Sequence, residues 1–102
     1  MEQIAGDLLP HESLEQRRDQ VAGLGFLSVG PKMLACDDPD KMRRDIVDEQ
    51  LDTTGRAFMG MTLGCARCHD HKFDPVSIED YYGLAGIFLS TKTLTKYTVL
   101  IE

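Results

Sequence analysis

Apolar side chains recur at spacings of three and four along the middle of the chain: Met42, Ile46, Val47, Leu51, Thr54, Phe58 and Met61. That period predicts an amphipathic helix over 39–63, roughly six turns long if unbroken. Its start is well marked. Asp38 suits the N-cap and Pro39 the first helical position. Asp37, Asp38 and Asp40 place negative charge where the helix dipole favours it. Gly55 and Gly60 weaken the helix locally, and Gly64 can stop it.

Two shorter helical patterns flank this one. Ser13 with Gln16 three residues on reads as a capping box, with Leu14, Val21 and Ala22 near one face and Gly23 and Gly25 ending the segment. Ser77 with Asp80 marks a last helix whose buried stripe would be Ile78, Tyr81, Tyr82, Ala85, Phe88 and Leu89. Ahead of these, "MEQIAGDLLP" reads as a short helix packing Ile4, Leu8 and Leu9. "FLSVGPKML" is a connector broken at Gly30–Pro31, and "DHKFDPV" a loop around Pro75. Residues 97–101 have the composition of a short C-terminal strand. There is no internal repeat. The pattern predicts one mainly α domain over residues 1–102, with that strand as its single β element.

Length and charge narrow the function. A chain of 102 residues suits one small domain, whose core is marginal without a staple or cofactor. A formal net charge of −6 argues against a nucleic-acid partner, which would favour a basic face. No apolar run approaches the ~20 residues that span a bilayer. Met1-Glu2-Gln3 does not open a basic and then apolar leader. The closing "KYTVLIE" reads as cut from a longer protein, so the chain is expected to be a piece of an exported one.

The chemistry is concentrated in "GCARCHDH", residues 64–71. Cys65-Ala66-Arg67-Cys68-His69 has the C-x-x-C-H form of covalent haem attachment. Two thiols at this spacing reach the two vinyl groups of a porphyrin, and the adjacent imidazole turns onto the iron. Zinc is the rival: Cys36, Cys65, Cys68 and His71 would make a Cys3His tetrahedron and give the odd cysteine a role. A redox dithiol would want a strand before the motif, and here a helix precedes it. For a haem iron the distal ligand must come from upstream: Met33, Met42, Met59, Met61 or His11. Met33, in the Gly-Pro loop and off any helical stripe, has the freest reach and is taken as the second iron ligand. An open distal side would instead permit a haem enzyme or gas sensor. Arg67, His71 and Lys72 could pair with haem propionates, Arg67 with two hydrogen bonds. A solvated loop is the plainer role for Lys72.

The run from Gly30 to Phe88, and "LGCARCHDHKFDP" above all, closely resembles the planctomycete cytochrome C-like domain, whose opening also matches "EQIAGDLLP". The resemblance covers nearly the whole chain. It implies a periplasmic or extracytoplasmic haem c protein in electron transfer. Cys65 and Cys68 would be the attachment residues and His69 the proximal ligand. His71, Asp74 and Pro75 belong to the motif without an assigned role. Where Cys36 stands, the family would have an acidic residue, so its pattern does not need a zinc ligand there. The expectation is an electron carrier rather than an enzyme, served by redox partner proteins within a larger assembly. Its haem would lie between the helices over 39–63 and 78–89, among Phe58, Phe73, Tyr82 and Phe88.

Overall fold

The computed structural model describes residues 1–31 and 37–91. Met33, Cys36 and the strand expected at 97–101 lie outside the described residues. Among the described residues, four α helices and short 3-10 or π turns are joined by loops, so the chain is mainly α. The described residues divide into two compact units, one over residues 1–29 and one from residue 30 to residue 91.

The N-terminal unit holds α1 (Glu2–Ala5), running into a 3-10 turn, and α2 (Leu14–Gly23), which ends in a second 3-10 turn over Leu24–Ser28. Ser13 caps α2 by accepting from Gln16 N at 3.1 Å. The reciprocal bond is shifted by one residue: Gln16 Oε1 accepts from Glu12 N at 2.7 Å. The packing differs from the expected apolar face. Ile4, Leu8 and Leu14 are exposed, and the buried side chain of α2 is Gln20, 3% exposed. Gln20 Nε2 donates to the Pro10 carbonyl at 2.9 Å, and Arg17 donates to the Asp7 carbonyl at 2.6 Å. Polar side chains thus tie α2 to the turn before it. Gly6 lets its backbone lie against the Gln20 carbonyl, where any Cβ would collide.

The second unit carries the motif. Helix α3 (Pro39–Thr54) starts as predicted, with Asp38 Oδ1 accepting from Asp40 N and Lys41 N at 3.0 Å each. It ends sooner than the period suggested. Residues Gly55–Met59 open into a π turn, and Gly60 takes the left-handed conformation at φ 65°. The chain then doubles back, with Met61 N donating to the Gly55 carbonyl at 3.1 Å. Leu63 comes down on Gly55, where an added Cβ would meet Leu63 Cγ at 2.5 Å and Met61 O at 2.9 Å. Phe58 therefore leaves the expected stripe and is exposed. A 3-10 turn over Leu63–Arg67 follows, then a loop, then α4 (Ile78–Ser90) with a complete Ser77–Asp80 capping box. Val47, Leu51, Leu63, Ala66, Val76, Tyr81 and Ala85 form the buried core, and Met61, Leu84, Phe88 and Leu89 pack against it.

Candidate functional site

The Cys motif is built on the 3-10 turn, where residues three apart share a face. Leu63 and Ala66, 2% and 0% exposed, take the inward face and lock the turn to the core. Cys65 lies on the turn and Cys68 caps its C-terminal end, and both thiols are free and exposed. Cys65 Sγ lies 3.8 Å from Thr62 Oγ1. Gly64 N donates to Asp52 Oδ1 at 3.0 Å, fastening the turn to the last part of α3. An open groove of about 680 Å³ runs along α3 up to Cys65, walled in part by Asp48, Glu49 and Asp52.

Arg67 is half-buried. Its guanidinium reaches α3, with Nη2 2.9 Å from Asp45 and Nη1 3.2 Å from Asp48. Tyr81 donates to the same Asp48 at 2.5 Å, and Tyr82 donates to the Arg67 carbonyl at 2.9 Å. Both helices thus grip the middle of the motif. The hydrogen bond to Asp45 raises the Arg67 pKa further. Lys41 first and Arg67 second hold the Asp45 carboxyl below its ordinary range.

His69 is exposed, and its Nδ1 lies 2.8 Å from the Asp70 carbonyl oxygen. A carbonyl only accepts, so the Nδ1 proton is the one engaged and the Nε2 lone pair is left for a ligand. Metal-ligating histidines usually donate their other ring N–H in this way. His71 behaves oppositely. Its Nδ1 accepts from Phe73 N at 3.0 Å and Asp74 N at 2.7 Å, and its Nε2 meets Thr62 Oγ1 at 2.6 Å. With 7% of its side chain exposed, it staples the loop. Asp74 completes the staple by accepting from Thr62 N at 3.3 Å.

Two exposed thiols three residues apart, followed by an imidazole with its Nδ1 engaged, form a donor set whose chemistry fits covalent haem attachment. The four aromatic residues expected around the haem differ in exposure. Phe58, Phe73 and Tyr82 are exposed, whereas Phe88 packs against the core. Lys72 stands over the Phe73 ring, 5.2 Å from its centroid. Among the described residues no three His, Cys, Asp or Glu side chains are placed to hold a metal ion. Sequence reasoning missed Thr62, Asp45 and Asp48, whose roles depend on contacts across the fold that leave no local signature. The Asp70 carboxylate, which accepts from Ile78 N at 2.9 Å, was missed for the same reason.

The family model PSCyt2, described as a protein of unknown function (DUF1549), matches residues 1–93. No curated protein and no solved structure matches.

Proposed function

The chain belongs to the PSCyt2 family, and from that premise we propose that it holds one haem c and carries single electrons within an exported assembly. The observation behind this reading is the exposed Cys65 and Cys68 on and at the end of a core-locked turn, followed by an exposed His69 whose Nδ1 is engaged by the Asp70 carbonyl. Cys65 and Cys68 would hold the group through thioether bonds and His69 through Nε2. Bound there, the haem would supply a reversible one-electron couple.

The chain's own residues do the positioning. Leu63 and Ala66 anchor the turn, Arg67 ties it to α3, and the Thr62–His71–Asp74 staple closes the loop behind it. Little has to move at the moment of attachment, so the ordering cost is met by folding. The exposed Phe58, Phe73 and Tyr82 offer apolar and aromatic surface of the kind a porphyrin face covers. Met33 remains the proposed distal ligand. Covalent attachment requires reduced thiols and an exported chain, hence a periplasmic or extracytoplasmic site of action. Partners would be other redox proteins, and an acidic chain of net charge −6 suits basic ones.

Absorption spectra of oxidised and reduced protein, made in a host competent for haem attachment, test this directly. A c-type pyridine haemochrome that survives denaturation is the expected result, and it should vanish in Cys65→Ala/Cys68→Ala. A colourless wild-type protein from that host overturns the reading.

A further inference from the structure

We propose that Asp70 is the positioning residue for His69, holding the imidazole in the tautomer that presents Nε2 and coupling it to the N-terminus of α4. This rests on the haem reading above only for its functional consequence. The Asp70 residue makes two bonds in opposite directions. Its carbonyl accepts the His69 Nδ1 proton at 2.8 Å. Its carboxylate Oδ1 accepts from Ile78 N, the first amide of α4, at 2.9 Å. The next residue continues the anchorage, since His71 N donates to the Val76 carbonyl at 2.9 Å. The Asp70 peptide is therefore fixed from its side chain and from the peptide that follows it.

The first amides of a helix have no partner within the helix. Ser77 and Asp80 satisfy the cap of α4 between themselves, and Asp70 takes the Ile78 amide from outside the helix. A carboxylate also sits favourably at the positive end of a 13-residue helix. That interaction orients the Asp70 carbonyl, and the carbonyl selects the Nδ1–H form of His69. An iron-bound imidazole with a hydrogen-bonded Nδ1 proton is a stronger donor and favours the oxidised metal. Removing the Asp70 carboxylate would loosen the peptide, free the tautomer and raise the reduction potential. Asparagine keeps an oxygen at the same place and should keep the geometry.

The experiment reads the tautomer itself in the haem-free full chain, by long-range ¹H–¹⁵N correlation of labelled histidine in mildly alkaline solution. Wild-type His69 should be mainly Nδ1–H, Asp70→Ala should shift towards the Nε2–H form favoured by free histidine, and Asp70→Asn should resemble wild type. Ser77→Ala, which weakens the α4 cap without touching Asp70, should leave the tautomer in place. In haem-loaded protein Asp70→Ala should have a more positive potential, with Asp70→Asn and Ser77→Ala near wild type. A wild-type His69 in the Nε2–H form overturns the proposal. So does an Asp70→Ala chain with unchanged tautomer, or a Ser77→Ala chain that shifts as far. Absence of haem from wild type would overturn the haem reading alone, because the tautomer is measured without it.

Discussion

Thr62 Oγ1 and His71 Nε2 stand 2.6 Å apart and clasp the two ends of the loop that carries Cys65, Cys68 and His69. His71 also accepts two backbone amides through Nδ1, so one ring satisfies three partners. His71→Ala leaves the half-buried Asp74 amide without its acceptor and opens a void under the loop. We expect a loss of about 2–3 kcal/mol in denaturant unfolding. Haem attachment should also fall, measured as haemochrome per polypeptide. His71→Asn, which keeps an acceptor near the Nδ1 position, should recover part of both losses. An alanine variant as stable as wild type would remove the staple from the account.

Gly55 is where the motif rests on α3. A methyl group there would meet the Leu63 side chain and the Met61 carbonyl, and the second of these is backbone that cannot rotate away. Gly55→Ala should therefore destabilise by about 1–3 kcal/mol, although alanine is the better helix former. The unfolding midpoint measures it. A gain in stability would show that the turn over Leu63 can shift to make room.

Acid should weaken the second unit through two carboxylates. Asp45 is held down by Lys41 and then Arg67, and Asp80 by the backbone and side chain of Ser77. A carboxyl with a depressed pKa in the folded chain adds stability above its ordinary value of about 4, and loses it as pH falls through the folded value. Stability should thus decline below about pH 4. Asp45→Asn and Asp80→Asn should each flatten that decline in denaturant titrations repeated across the acid range. An unchanged acid slope in both variants would place the proton uptake elsewhere.

Both ends of the Cys motif's scaffold were readable because their signals are local. Asp38-Pro39 and Ser77 with Asp80 place the starts of α3 and α4 where the structure has them. The far end of α3 was not readable. The apolar period runs on through Phe58 and Met61, but the close approach of Leu63 to Gly55 is tertiary and overrides it. The N-terminal unit misled for a related reason. A long polar residue, Gln20, fills its interior through a bond to Pro10, and no hydropathy pattern marks that use of glutamine. At the site, the sequence named Cys65, Cys68 and His69 from their types and spacing. It told His69 from His71 by position in the motif, but not their opposite surroundings: one is exposed, the other is held by three hydrogen bonds.

Tyr81 connects α4 to the motif through Asp48, donating to it at 2.5 Å while Arg67 approaches the same carboxylate. The residue is 3% exposed. Burial first, and the bond to Asp48 second, push its phenol well above the ordinary tyrosine value. The folded chain thus binds this proton more tightly than the unfolded chain does. The stability it adds is full below about pH 10 and is lost as pH rises towards the folded value. In a spectrophotometric titration of the chain's three tyrosines, this phenol should ionise last and together with unfolding. Tyr81→Phe should remove the late step and cost about 1.5–3 kcal/mol at neutral pH, the worth of a hydrogen bond to a charged acceptor. Asp48 keeps Arg67 in that variant, so the Cys65–His69 turn should stay in place and haem attachment should persist. Three tyrosines ionising together near the ordinary value would mean that the Tyr81–Asp48 bond does not form in solution.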